Sequence, residues 1–141
     1  MANAVRRIGV FTSGGDAPGM NAAIRSVVRT SLHMGIECIG IRRGYNGLVN
    51  GDFIPLDFES VSGLSRRGGT MLYSARSEDF RGEAGQEKAV ATCKLLGLEG
   101  VVGIGGDGTF RGLLELSRRG VAVVGLPGTI DNDIACSTYT I

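Results

Sequence analysis

Short apolar runs and segments of helical period alternate along this chain, and nearly every change from one to the other is marked by glycine. Arg7–Thr12 (RIGVFT) is a compact apolar run that predicts a first strand. Met20, Ile24, Val27, Val28 and Ser31 then recur at helical spacing. They predict a helix capped by Asp16, with Pro18 in its first turn, running to about Met34, where Gly35 stops it. Ile36–Arg42 predicts a second strand, GYNGLVNGD a turn, and Asp57–Arg67 a short helix. A polar loop follows, RRGGTMLYSARSEDFR, with a flexible hinge at Gly68–Gly69. Glu83–Leu96 reads as a helix with Ala89, Val90, Cys93 and Leu96 inward and Gly97 closing it. Strand Gly100–Ile104, helix Gly108–Arg119 and strand Val121–Leu126 complete the pattern, ahead of a PGTIDND loop. Strands alternating with single helices predict an α/β fold, a doubly wound and mainly parallel sheet with no internal domain boundary.

Composition narrows the function more by what it excludes. The 141 residues suit one domain, and 43% hydrophobic with 21% charged residues is ordinary for a globular protein. A net charge of +1 provides no basic field, so no nucleic-acid partner is expected. No apolar run approaches the ~20 residues of a membrane span, and MANAVRRIGVFTS is too weakly apolar for a secretory leader. Cys38, Cys93 and Cys136 lie far apart with only His33 to assist, which predicts reduced thiols and not a metal site. The expected compartment is the cytoplasm. The 24 glycines are the anomaly: they sit at the ends of apolar runs, where a chain turns sharply or lets a ligand approach its backbone.

Two of those glycine-rich turns carry acid: GGDGT at Gly105–Thr109 and PGTIDND at Pro127–Asp133. Parallel strands joined by one helix deliver their following loops to the same sheet edge, so Asp107, Asp131 and Asp133 are expected to converge. Carboxylates beside a phosphate-sized gap suit a bridging divalent cation or the removal of a proton. The hydroxyl of Thr129 joins them. SGGDAPGMN at Ser13–Asn21 is a strand–turn–helix unit whose Gly14 and Gly15 amides can form an anion nest. It lacks the Lys-Ser/Thr ending of a P-loop. Gly103–Gly108 satisfies GxGxxG, but an Asp sits in the phosphate turn and no acidic residue ends the next strand to hold a ribose. Arg76, beyond the Gly-Gly hinge, can reach across transferring phosphates or lie in a surface ion pair. Arg25 and Arg29, four apart on one helix face, suit an anion site or a solvated face. His33 is expected at the surface, complementing the helix dipole. Asp107 as a simple helix cap and PGTIDND as ordinary turn chemistry stay open at this point.

Taken together, IGVFTSGGDAPGMNAAIR, RRGGTMLYSAR, IGGDGT and PGTIDND resemble the N-terminal part of bacterial-type ATP-dependent 6-phosphofructokinases, in order and spacing. The resemblance implies a Rossmann-like N-terminal domain of the phosphofructokinase fold over residues 1–141, incomplete, with a second substrate domain outside this sequence. It implies phosphorylation of fructose 6-phosphate to fructose 1,6-bisphosphate, with ATP as co-substrate and Mg2+ as cofactor. Asp131 would be the base, with Thr129 beside it and Asp133 in support, and Thr129, Ile130 and Asp131 would meet the sugar phosphate. Asp107 would be the magnesium-linked carboxylate, with Gly106, Gly108 and Thr109 cradling ATP. Gly15 and Arg76 would act at the transferred phosphate, and Tyr45, Ser77 and Arg81 would line the nucleotide pocket. Gly108 and Gly128 match the ATP-using branch; pyrophosphate users typically carry Asp and Lys there.

Arg25 and Arg29 would form part of an effector site for ADP or phosphoenolpyruvate in a homotetramer. Phe58 and Gly63 depart from the family's usual Arg and acidic residue there. Competing readings are a nucleotide-binding fragment inactive by itself, and another GGDGT kinase acting on NAD or lipid. After Asp133 the sequence runs IACSTYTI with no element to cap the sheet, so residues 1–141 are expected to be part of a longer protein.

Overall fold

A five-stranded sheet in the order β3-β2-β1-β4-β5 organises the computed structural model, which describes residues 4–141. The strands are β1 (Arg7–Thr12), β2 (Glu37–Ile41), β3 (Phe53–Leu56), β4 (Gly100–Gly105) and β5 (Val123–Pro127). The helices are α1 (Met20–His33), α2 (Tyr45–Asn50), α3 (Glu83–Leu95) and α4 (Asp107–Arg118). β1 pairs in parallel with both β2 and β4, and β4 with β5, while β3 runs antiparallel at one edge. The doubly wound, mainly parallel α/β expectation therefore holds.

The central strands are buried on both faces, as parallel strands between helical layers must be. Side chains alternate along β1, so Val10 enters a core with Met20, Ile24 and Val28 of α1, while its neighbour Phe11 enters another. That second core holds Leu48 of α2, Val90 and Cys93 of α3, and Leu113 and Leu116 of α4. Fully burying a side chain such as Val10, Phe11, Ile24 or Leu116 contributes about 1.5–3 kcal/mol.

Three local expectations fail. Asp16 does not cap α1: the helix begins at Met20 with Gly19 at the cap and no side-chain hydrogen bond there. The chain first makes a turn in which the Met20 amide donates to the Ala17 carbonyl at 3.2 Å, so Pro18 precedes the helix. A side chain at 19 would sit 2.8 Å from the backbone of Ile141, so close approach selects glycine there over a capping residue.

GYNGLVNGD is not merely a turn, because it contains α2, whose Tyr45 and Leu48 are buried. Asp57–Arg67 is not a helix. β3 precedes it, and the Asp57 carboxylate accepts from the Ser60 amide at 2.8 Å, holding a turn that ends in a 3-10 segment at Leu64–Arg66.

Candidate active site

The chain leaves β1 for β2 on one side and returns through β4 on the other, so the strand order reverses between β1 and β4. Loops at the carboxyl ends of strands flank a crevice at such a switch point. Here the turn after β1, the β4–α4 junction and the loop after β5 surround a cleft of about 300 Å3. Two main-chain bonds fix their spacing. The Ser13 amide donates to the Ile104 carbonyl at 3.0 Å, and the Gly128 amide to the Gly105 carbonyl at 2.9 Å.

Asp107, Asp131 and Asp133 all line this cleft, as the strand connectivity predicts, together with Thr129, Gly106, Gly108 and Thr109. Gly14 and Gly15 form its opposite wall, with Gly14 at φ +84° and no atom within 4 Å of where either side chain would project. Their amides are open to an anion. The first turn of α4 begins at Asp107, so the positive end of that helix dipole also faces the cleft. In the acidic loop, the Asp131 amide donates to the Thr129 hydroxyl at 3.1 Å, and the Thr140 hydroxyl to the Thr129 carbonyl at 2.6 Å. Asn132 takes a left-handed φ of 48°, which Asn tolerates better than most residues.

Arg111, not singled out from the sequence, forms an ion pair with Asp107 at 2.9 Å, one helical turn on. Its i, i+4 spacing was the signal for it. The pair is exposed and worth at most about 1 kcal/mol, so an incoming cation or phosphate can replace it readily. Among the described residues no three His, Cys, Asp or Glu side chains form a cage for a metal ion. The donor set instead suits magnesium, which keeps several waters and is held by one or two carboxylates plus substrate phosphates. Asp107, beside open glycines, fits that description.

Other anticipated residues lie outside the cleft. Ile130 is exposed in the acidic loop and does not line it. Arg76 is exposed and also outside. The Ser77 hydroxyl accepts from the Phe80 amide at 3.3 Å, and Arg81 pairs with Glu78 at 3.1 Å. Tyr45 is buried beneath the cleft instead of lining it. Its ring stacks on Phe80 with centroids 4.1 Å apart and meets Phe11 edge-on at 4.8 Å, while its hydroxyl donates to the Thr109 carbonyl. Burial pushes the Tyr45 phenol well above its ordinary value of 10.0, so it remains neutral.

Arg29 borders a separate shallow cleft with Thr30, His33 and Phe58, its guanidinium 5.8 Å from the centre of the Phe58 ring. His33 is exposed in the last turn of α1, as expected. Arg25 is half-buried, and its Nε has no hydrogen-bond partner among the described residues.

The Phosphofructokinase family model matches residues 7–141. An ATP-dependent 6-phosphofructokinase of Clostridium botulinum is 58% identical over 137 residues, covering 97% of this chain and 43% of that protein. One from Halothermothrix orenii is 56% identical over 138 residues, 97% of this chain and 42% of that protein. The chain thus spans less than half the length of these relatives. Among solved structures, Pichia pastoris phosphofructokinase in the T-state superposes with a TM-score of 0.93 at 35% identity, over 99% of this chain and 17% of that one. A pyrophosphate-dependent phosphofructokinase of Marinobacter aquaeolei matches at TM-score 0.81 and 19% identity, over 94% of this chain and 36% of that one. At that identity the likeness concerns the fold alone.

Proposed function

Since this chain belongs to the phosphofructokinase family, we propose that it is the nucleotide-binding part of an ATP-dependent 6-phosphofructokinase, completed by a second domain in the full-length polypeptide. The observation that carries this reading is the convergence of three carboxylates and the Gly14–Gly15 turn in one cleft at the topological switch point.

In this reaction the 1-hydroxyl oxygen of fructose 6-phosphate attacks the γ-phosphorus of ATP in line. Its proton passes to the Asp131 carboxylate, and the bond to the β–γ bridging oxygen breaks to release ADP. Thr129 shapes the turn that carries Asp131, and Asp133, on the cleft lining, supports the metal or the base. The Gly15 amide and the α4 N-terminus meet charge developing on the transferred phosphoryl group. Asp107 would hold Mg2+ directly or through its waters, and the cation would supply neutralising charge for the nucleotide phosphates. Arg76 reaches toward the phosphates in the complete site. Tyr45 acts from below by holding the first turn of α4, while Ser77 and Arg81 would line the nucleotide pocket of the complete site. Gly108 leaves room that a carboxylate would occupy, which favours ATP over pyrophosphate as donor.

The same reading makes Arg25 and Arg29 part of an anionic effector site, the complete enzyme a cytoplasmic homotetramer, and residues 1–141 alone inactive in turnover. The test is to assay the full-length polypeptide with ATP or pyrophosphate as donor, against fructose 6-phosphate, NAD and a lipid acceptor. Magnesium-dependent formation of fructose 1,6-bisphosphate from ATP is expected. Faster transfer to NAD or lipid, or a preference for pyrophosphate, overturns the reading.

A further inference from the structure

The loop that leads to Arg76 contains two adjacent glycines, yet it is fastened on three sides. Asn21 lies in the first turn of α1 and is 3% exposed. Its side-chain amide donates to the carbonyls of Arg67 and Gly68, both at 3.1 Å, and its carbonyl oxygen accepts from the Met71 amide at 2.7 Å. The partners settle the amide's orientation. Met71 N–H can only donate and the two carbonyls can only accept, so the flipped amide would oppose all three. Thr12, wholly buried at the end of β1, contacts the Thr70 hydroxyl at 2.6 Å and the Tyr73 carbonyl at 3.1 Å. The Arg43 amide donates to the Leu72 carbonyl at 2.8 Å. Only Ser74 and Ala75 then separate the last fastening from Arg76, which keeps Arg76 within about 10 Å of Tyr73.

We infer that Asn21 is a positioning residue for phosphoryl transfer: it ties the Arg67–Met71 loop to the helix that follows the Gly14–Gly15 turn, so that Arg76 and the anion nest keep one spatial relationship. The inference rests on the role proposed above for Arg76. A polar side chain this deeply buried, with both its protons and an acceptor position engaged by one loop, has no other partner to serve. A loop set adrift by even an ångström moves the guanidinium away from the geometry that transfer needs, which is worth up to ~100-fold in rate.

The test uses the full-length polypeptide and the isosteric Asn21→Asp variant. That change removes both donors and sets a carboxylate against two carbonyls. Trypsin cleavage after Arg66 and Arg67 is expected to accelerate by ~10-fold or more, because local opening exposes that backbone. With fructose 6-phosphate, kcat is expected to fall by ~10-fold or more, with KM for ATP within about twofold. In an Arg76→Ala background, Asn21→Asp should lower kcat no further, because a residue acting through Arg76 has nothing left to position. Multiplicative losses in the double variant, a rise in KM for ATP matching the fall in kcat, or unchanged cleavage would each overturn the inference. Should Asn21→Asp not fold, the uncharged Asn21→Ser, too short to keep the bonds to Arg67, Gly68 and Met71, is read by the same outcomes. If the unmodified protein transfers no phosphate to fructose 6-phosphate, or Arg76→Ala leaves kcat intact, it is the proposed function that fails. The tryptic measurement then decides on the Asn21 tether alone.

Discussion

The Tyr45 hydroxyl donates to the Thr109 carbonyl, and Gly112, one turn along α4, leaves the space in which the phenol ring lies. A β-carbon at 112 would overlap that ring. Gly112→Ala is therefore expected to destabilise the fold by about 1–3 kcal/mol through overpacking. Tyr45→Phe keeps the ring and loses only the hydrogen bond, so it should cost about 1 kcal/mol, since the Thr109 carbonyl lies within α4 and keeps its helical partner. Urea unfolding of both variants checks the order. Equal or reversed costs would mean that the ring is not confined by α4.

Alkaline pH should destabilise the fold through its buried thiols. Burial pushes Cys38 from its usual 9.0 up to about 12 and Cys93 up to about 11. Above pH 9 the unfolded thiols ionise while the folded ones keep their protons, so the unfolded state binds fewer protons and gains on the folded one. The favourable contribution is intact below pH 9 and is lost as pH climbs toward these raised values. Each thiol accounts for about 1.4 kcal/mol per pH unit within its window. Denaturant midpoints at pH 8 and 10.5 should separate less in Cys38→Ala than in the parent. The neutral Tyr45 phenol adds to the effect above pH 10 in the same direction.

Gly108→Asp separates folding from donor choice. No atom lies within 4 Å of where a side chain at 108 would begin, so its effect on stability should be near ±0.5 kcal/mol. It adds a second carboxylate beside Asp107 in the cleft, where it repels triphosphate and fills space near the α4 N-terminus. A rise of ~10-fold or more in KM for ATP is expected, with an unchanged denaturation midpoint. An unaltered KM would place the nucleotide elsewhere.

How legible was all this beforehand? β1 spans the very residues its apolar run marks, and the ends of α3 and α4 fall within one residue of the periodic segments, because glycine or a charge change bounds each. The meeting of Asp107 with Asp131 was legible too, since parallel connectivity alone puts both loops on one edge. α2 and β3 were not. Their evidence is tertiary: Tyr45 and Leu48 are helical because Phe80 and α3 cover them, and β3 exists because β2 offers it an edge. Tyr45 shows the limit of motif reading most clearly. Its place in the chain indicates the neighbourhood of the cleft but not which side of the α4 backbone the ring occupies. Asn21 gave no sign either, because its three partners lie about fifty residues away and are all main-chain atoms.

Phe58 occupies the space beside Arg29 that a second guanidinium would need for gripping an anion, and its ring lies under the Arg29 side chain. On the proposed effector reading, a phosphate-bearing ligand here would lack the charge-assisted hydrogen bond, about 1.5–3 kcal/mol, that such a partner supplies. Phe58→Arg should therefore sharpen the response of the full-length polypeptide to ADP, lowering the half-maximal concentration by ~10-fold or more. Substrate-saturation curves with and without ADP measure it. A variant no more responsive than the parent would remove this cleft from consideration as an effector site.

Asp131 offers the most direct test of the chemistry. Its backbone amide, not its side chain, donates to the Thr129 hydroxyl, so Asp131→Ser keeps the turn that presents residue 131 to the cleft. The Gly128–Gly105 and Thr140–Thr129 bonds that hold the base of the loop are likewise untouched. What the substitution removes is the carboxylate proposed above to take the sugar hydroxyl's proton. A loss of ~100- to 10,000-fold in kcat is expected for such a base. On the proposed reading, in which the nucleotide meets Gly106–Thr109 and not this loop, KM for ATP should stay within about twofold. Since the loop geometry survives, a fall in kcat can be assigned to proton transfer and not to collapse of the site. Turnover within a few-fold of the parent enzyme would show that another group accepts the proton.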